Sequence, residues 1–202
     1  MLFRSVGADQ AWECFPVYCV PIDIKDKGPT IVNNIFTSVG RKKNSKPGHC
    51  PEVTFVAVGG TNPIVDGNIF ENCEYDIVTQ QSPLHAITIG ESYGAEITNN
   101  IFNNFQGPCI YVDSWRNENA VIKNNIAKNV WIFVALTCQN WPNENQVSFN
   151  KNIVVEDNIV ELTIGDVYYQ WDRPPFTSPF FVYNYDPTLD GKKFPEIGRA
   201  HV

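Results

Sequence analysis

Five segments of the chain are so alike that they read as rungs of one ladder, each with an Asn followed by Ile and a further hydrophobic residue. The segments are TIVNNIF around Asn34, IVDGNIF around Asn68, EITNNIF around Asn100, VIKNNIA around Asn125 and VVEDNIV around Asn158. Their spacings are 34, 32, 25 and 33 residues. Self-similarity at such a period marks a solenoid whose turns keep one core pattern and vary in their loops.

In Ile31, Asn33, Ile35 and again in Ile97, Asn99, Ile101 the alternation has the period of a strand, which predicts that every second residue shares one face. A bend rich in Asn follows, where left-handed backbone is least costly for a residue other than Gly. When coils stack, Asn34, Asn68, Asn100, Asn125 and Asn158 are expected to hydrogen-bond along the stack as a structural ladder. A second strand follows in each coil: TFVAV at 54–58, ITI at 87–89, CIYV at 109–112 and IFVAL at 132–136. Parallel strands repeating in this way define an all-β fold, a parallel β-helix of about five coils. Helical repeats need Ala, Leu, Glu and Lys in quantity, whereas this chain has few Leu, one Met and many β-branched and aromatic residues. The competing reading is an irregular β-sandwich.

The termini stand apart. MLFRS and EIGRAHV match translations of the two arms of a common short-read sequencing adaptor, so residues 1–5 and 196–202 are set aside as scars, and the remainder is expected to be an internal fragment. Residues 6–29, with Pro16, Pro21 and Pro29, read as an irregular lead-in. Residues 30–165 carry the coils, with a polar, basic insertion at 41–50 read as a solvated loop, and residues 166–195 form an aromatic and Pro-rich segment without the repeat.

A formal net charge of −7 with no sustained basic run argues against nucleic acid as a partner. No run approaches the roughly 18–20 apolar residues of a membrane span. The cysteines lack C-x-x-C spacing, which argues against zinc. They read as small apolar fillers, with a Cys14–Cys19 disulfide as the alternative. No metal or other cofactor is expected. Asp66, Glu71, Glu74 and Asp76 cluster near one bend without the spacing of a known calcium loop, so a solvated acidic face is preferred to a calcium site.

Chemistry on a β-helix resides on an outward strand face and its flanking loops, because the interior is sealed by stacked side chains. In CIYVDSWRNEN, inward Ile110 and Val112 send Tyr111 and Asp113 outward, with Trp115 and Arg116 at the strand end. One coil earlier, in ITIGES, the same argument places Glu91 at the strand end. With coils about 4.8 Å apart, Asp113 and Glu91 are expected within several ångströms of each other. They form a candidate catalytic pair in which one acid, kept protonated by its neighbour, donates to a glycosidic oxygen while the other acts as base or nucleophile. Trp115 would stack on a pyranose and Tyr111 would bond its hydroxyls, with Arg116, Gln139 and Trp141 extending the groove. The bland alternative is that Asp113 caps a turn and Trp115 covers a loop. Trp171, Asp172 and Arg173 are a weaker second platform, and His85 reads as a surface histidine before it reads as a base.

The NNIF-type rungs and the strands after them resemble the right-handed parallel β-helix repeats of the pectate-lyase-like superfamily, over about residues 30–165. IYVDSW followed by VIKNNIA is similar to secreted β-helix proteins of carbohydrate-degrading microbes. There an IYVDAW-like strand precedes, one coil on, a Ser-Glu pair. Here TCQ puts Gln139 at that position. The resemblance implies a right-handed helix, a secreted or cell-surface location and a polysaccharide or other glycan as partner. NIFENC at 68–73 is also similar to NLFE-type segments of polysaccharide lyases, but TQQS stands where a basic residue for proton abstraction is expected. A pectin-hydrolase GHG turn is absent. The expected function is that of a glycoside hydrolase, with a non-catalytic glycan-binding or adhesin β-helix and a polysaccharide lyase as alternatives.

Overall fold

A computed structural model of the chain describes residues 2–4, 13–14, 17–19, 23, 25–37, 52–73, 85–113, 116–139, 150–163 and 178–185. All the regular structure among them is strand, wound into successive coils. Leu2–Arg4 (β1) precedes the first coil, which holds Glu13–Cys14 (β2), Val17–Cys19 (β3), Thr30–Val32 (β4) and Ile35–Thr37 (β5). The second holds Glu52–Thr61 (β6), Ile64–Asp66 (β7) and Ile69–Cys73 (β8). The third holds His85–Tyr93 (β9), Glu96–Thr98 (β10) and the start of Ile101–Val112 (β11). The fourth runs through the rest of β11, Asn117–Glu118 (β12), Val121–Lys123 (β13) and the start of Ile126–Gln139 (β14). The fifth continues from β14 through Asn150–Lys151 (β15), Val154–Glu156 (β16) and Ile159–Leu162 (β17), and Ser178–Tyr185 (β18) opens a sixth.

Each coil therefore has three faces. The first is the five-stranded sheet β16-β13-β10-β7-β4. The second stacks β5, β8, the first halves of β11 and β14, and β17, all parallel. The third stacks β3, β6, β9, the second halves of β11 and β14, and β18, also parallel.

The corner between the first and second faces is where the repeated Asn sits. The residue before it takes left-handed backbone in every coil: Asn33 (φ 55°), Gly67 (64°), Asn99 (54°), Asn124 (57°) and Asp157 (54°). A Cβ at Gly67 would lie 2.6 Å from Asn33 Oδ1, so glycine serves close packing there as well as the turn. The next residue turns its amide inward. Asn100 Oδ1 accepts from Asn68 N (3.0 Å) and Asn68 Nδ2 (3.1 Å), while Asn100 Nδ2 donates to Val65 O (2.9 Å) and Asn125 Oδ1 (3.1 Å). The same bonds run from Asn34 to Asn68 and from Asn125 to Asn158. Asn68, Asn100 and Asn125 are fully buried. The side-chain amide thus satisfies bend groups that no hairpin partner can reach.

The left-handed residue also shifts the alternation, correcting the expectation that Ile31 shares a face with Ile35, and Ile97 with Ile101. Ile31 and Ile97 point inward, but beyond the bend Phe36, Phe70 and Phe102 occupy the interior, and Ile35 and Ile101 face out. Phe36 stacks on Phe70 at 4.8 Å and Phe70 on Phe102 at 5.3 Å. The next position in register is Ala127, and Phe133 approaches Phe102 edge-on from the third face instead.

The lead-in and the Pro-rich segment both contribute strands. Val17, Tyr18 and Cys19 pair with Val56, Ala57 and Val58, and Phe180 pairs with Val134. Pro179 lies within β18, between the paired Ser178 and Phe180, and neither segment carries a ladder Asn to reveal it in the sequence. Leu2–Arg4, set aside on sequence grounds, pair with Ile35–Thr37, since an outer coil offers unpaired backbone groups to any extended segment. Cys109 is buried in the core and Cys19 is a free cysteine. The 41–50 insertion lies outside the described residues.

Asn100→Ala strips acceptor and donors from the buried Asn68 and Val65 groups and is expected to cost about 3–5 kcal/mol. Asn34→Ala, at the half-buried first rung, should cost about 1 kcal/mol or less. Urea unfolding of the two variants checks the gradient; equal losses would show that the ladder does not hold the coils.

Candidate functional site

Of the positions singled out in the sequence, Glu91, Asp113 and Arg116 fall on one corner, where the third face ends and a short strand leads back to the first. Register defines it. Val58, Ile89, Val112 and Leu136 are level in successive coils, and so are Gly60, Ser92, Asn117 and Asn150. Between these levels the second coil has only Gly59, the third Gly90 and Glu91, the fourth residues 113–116, and the fifth residues 137–149. The connection at this corner therefore lengthens from coil to coil. Glu91 lies on its second step and Asp113 and Arg116 on its third, while Gln139 ends β14, paired with Tyr185 of β18.

A ladder absent from the sequence reading supports the base of this corner. Asn117 Oδ1 accepts from Ser92 N (3.1 Å) and Ser92 Oγ (3.0 Å), and Asn117 Nδ2 donates to Asn150 Oδ1 (3.0 Å) and to Asp113 O (3.0 Å). Its signal was present as S-Y-G-A, N-E-N-A and N-K-N-I, a polar residue followed two places later by Gly or Asn with left-handed backbone. A third ladder joins Asn72, Asn104 and Asn129, each four places after a rung Asn.

Ile110 and Val112 are fully buried, while Tyr111 and Asp113 are half-buried on the outward side, and Ile87 and Ile89 point inward below them. Asp113 N donates to Ile89 O at 2.9 Å, which levels Asp113 with Gly90. Ser92 N donates to Arg116 O at 3.0 Å, which levels Glu91 with the far end of the same turn. One bond across this turn, from Asn117 Nδ2, is accepted by the Asp113 main-chain carbonyl. Arg116 Nε pairs with Glu118 Oε1 at 2.8 Å, a partner the sequence reading missed, with the arginine side chain 60% exposed.

Glu91 has φ 47°. Every other left-handed residue among those described is Asn, Asp or Gly, the types for which this backbone costs least. For a residue with the longer Glu side chain the cost is of order 1–2 kcal/mol.

Trp115 and Trp141 lie outside the described residues, as does the side chain of Gln139, whose backbone closes β14. Trp171, Asp172 and Arg173 also lie outside them. Among the described residues no group of three or more His, Cys, Asp or Glu side chains converges as a metal site. Asp66 Oδ1 instead accepts from Thr98 Oγ1 (2.6 Å) and Asn99 Nδ2 (2.7 Å); Glu74 and Asp76 are not described. No helix of the described residues is long and apolar enough to cross a membrane.

His85 corrects an expectation. It is only 1% exposed, stacks on Tyr111 with ring centroids 4.0 Å apart, and places Nδ1 3.4 Å from Thr88 Oγ1. Thr88 in turn meets Thr54 Oγ1 at 3.0 Å. Burial lowers the imidazole to a pKa of about 3, so it is neutral at ordinary pH and buttresses the Tyr111 ring.

A coil of three parallel faces, closed by buried Asn at one corner and extended at another, is a right-handed parallel β-helix. A family model described as the right-handed beta helix region matches residues 20–153, and the chain belongs to that family. No curated protein and no solved structure matches it.

The unfolded chain protonates His85 first, near pH 6.5, so the stability linked to this group is complete above pH 6.5 and is lost as pH falls toward 3. The slope is about 1.4 kcal/mol per pH unit at most. His85→Gln, less stable at pH 7, is expected to lose stability less steeply between pH 6 and 4 in urea titrations. Parallel losses in the two proteins would contradict a buried, neutral His85.

Proposed function

We propose that this chain is a carbohydrate-active β-helix protein, a glycoside hydrolase that binds a polysaccharide across the lengthening corner of its third to fifth coils. Asp113 and Glu91 are its carboxylate pair: one donates a proton to the glycosidic oxygen and the other serves as base or nucleophile. Tyr111, Arg116, Gln139 and the tryptophans 115 and 141 are the proposed sugar contacts. Aromatic faces pack on the apolar side of a pyranose, while amide and guanidinium groups bond its hydroxyls. The substrate places the protein outside the cell or on its surface, in keeping with the resemblance to the pectate-lyase-like superfamily.

The observation that carries this reading is Glu91. Alone among the described left-handed residues in being neither Asn, Asp nor Gly, it keeps a strained conformation within β9, one coil from Asp113. Such strain concentrates at functional sites because the chemistry of the side chain offsets its conformational cost. The lyase alternative loses support from His85, whose ring is buried beneath Tyr111 and is not presented to a substrate proton.

The test is a panel of polysaccharides scored for reducing ends and for the absorbance of unsaturated uronates. Reducing ends without that absorbance are expected, and Asp113→Asn should lower the rate on the order of 10³-fold. Glu91→Asn should also abolish turnover while raising stability by about 1 kcal/mol, because Asn accepts the left-handed backbone. Unsaturated products would make the protein a lyase. Glycan binding without turnover would make it a non-catalytic module.

A further inference from the structure

The residue after each ladder Asn is always Ile, and all five face outward in register: Ile35, Ile69, Ile101, Ile126 and Ile159. Ile35 is 41% exposed and Ile159 63%, and the three between them are half-buried. With coils about 4.8 Å apart, the row is an apolar ridge about 19 Å long. The interior does not require it, since Phe36, Phe70 and Phe102 fill the core beside it. Isolated exposed aliphatics need no explanation, but an unbroken row does.

Two outward rows flank the ridge. On the second face lie Thr37, Glu71, Asn103, Lys128 and Glu161, in register. Across the Asn bend, on the first face, lie Val32, Asp66, Thr98, Lys123 and Glu156. Both rows repeat one charge order along the axis: neutral, acidic, neutral, basic, acidic. That order is self-complementary about the third coil. A second copy related by a two-fold axis running along the strands at Ile101 would set Glu71 against Lys128 and Asp66 against Lys123, twice each. It would also set Ile69 against Ile126 and Ile101 against its own equivalent. The acidic fifth coil would then meet the neutral first coil. A two-fold axis running along the helix would instead oppose Glu71 to Asp66 and Lys128 to Lys123, like charge to like. Lys123 already pairs with Glu156 (2.9 Å) and Asp157 (3.3 Å) in its own chain, so Glu71 and Lys128 carry most of the discrimination.

We infer that this ridge is a homodimer interface in which two copies pack antiparallel, with the two-fold axis at the third coil. Isologous contact of this kind is the commonest way a single patch finds a partner. The ridge is narrower than the roughly 800 Å² per partner of a standard interface, so association is expected in the micromolar range or weaker.

Sedimentation equilibrium of the full chain, from about 1 μM to about 1 mM, is expected to show a monomer–dimer equilibrium. Ile101→Lys, which opposes two charges on the axis, should abolish it. Glu71→Lys and Lys128→Glu should each weaken it about tenfold by creating like-charge pairs, and the double exchange should restore it. The exchanges lie on the surface, so they remain informative if Ile101→Lys fails to fold; circular dichroism reports which variants fold. A chain monomeric throughout the range overturns the proposal. So does a dimer indifferent to the single exchanges, which would associate through another surface or its open strand edges, and so does a double exchange that fails to restore binding.

Discussion

Everything in this fold depends on how the chain turns the corner between its first and second faces. A parallel solenoid has no hairpins there, so the bend's peptide groups face either the interior or the coil above and below. A left-handed residue makes the turn, and the following Asn supplies from its side chain the donors and acceptor that the bend lacks. Asn68, Asn100 and Asn125 do this with no solvent exposure at all. The same bend sets which side chains point inward, because one left-handed residue shifts the two-residue alternation by a step. The phenylalanine stack inside and the isoleucine row outside are therefore consequences of one backbone device.

With register fixed at that corner, the other corners are free to vary. The shortest rung spacing, 25 residues between Asn100 and Asn125, belongs to the coil in which β11 passes from the second face to the third without interruption. Other coils differ by insertions that leave the core untouched, which is why a long loop is inexpensive in a solenoid. The proposed site lies where insertion length grows step by step, from Gly59 to residues 137–149. Such lengthening occurs where the stacked core does not depend on it.

The sequence made the fold legible because the ladder Asn must recur and nothing else can replace its amide. It hid whatever lacked that signature. Val17–Cys19 and Ser178–Tyr185 join the sheet without an Asn bend of their own, held by register with β6 and β14, and the prolines near and within them read as breakers. The outward turn of Ile35 and Ile101 was hidden because alternation assumes ordinary backbone throughout. Phe at the next position was the available clue, since the bulkier ring belongs inside. At the site, the outward direction of Tyr111 and Asp113 was legible from alternation within a straight strand. The burial of His85 was not, because it depends on contacts with Tyr111 and Thr88 that no local pattern encodes.

Because the two proposed carboxylates stand on different coils, the site exists only while the third and fourth coils are docked. In a solenoid, stability is the sum of each coil's own stability and its interfaces with its neighbours. The interface that matters here is carried by Ser92, Asn117 and the Asp113–Ile89 backbone bond. Loss of those bonds would separate Asp113 from Glu91 without unfolding either strand. A strained Glu91 lowers the stability of its own coil. The phenylalanine stack and the buried Asn rungs on the far side of the same coils offset that loss. The proposed chemistry would thus lie at a corner where the coil can bear strain, away from the corner that it cannot do without.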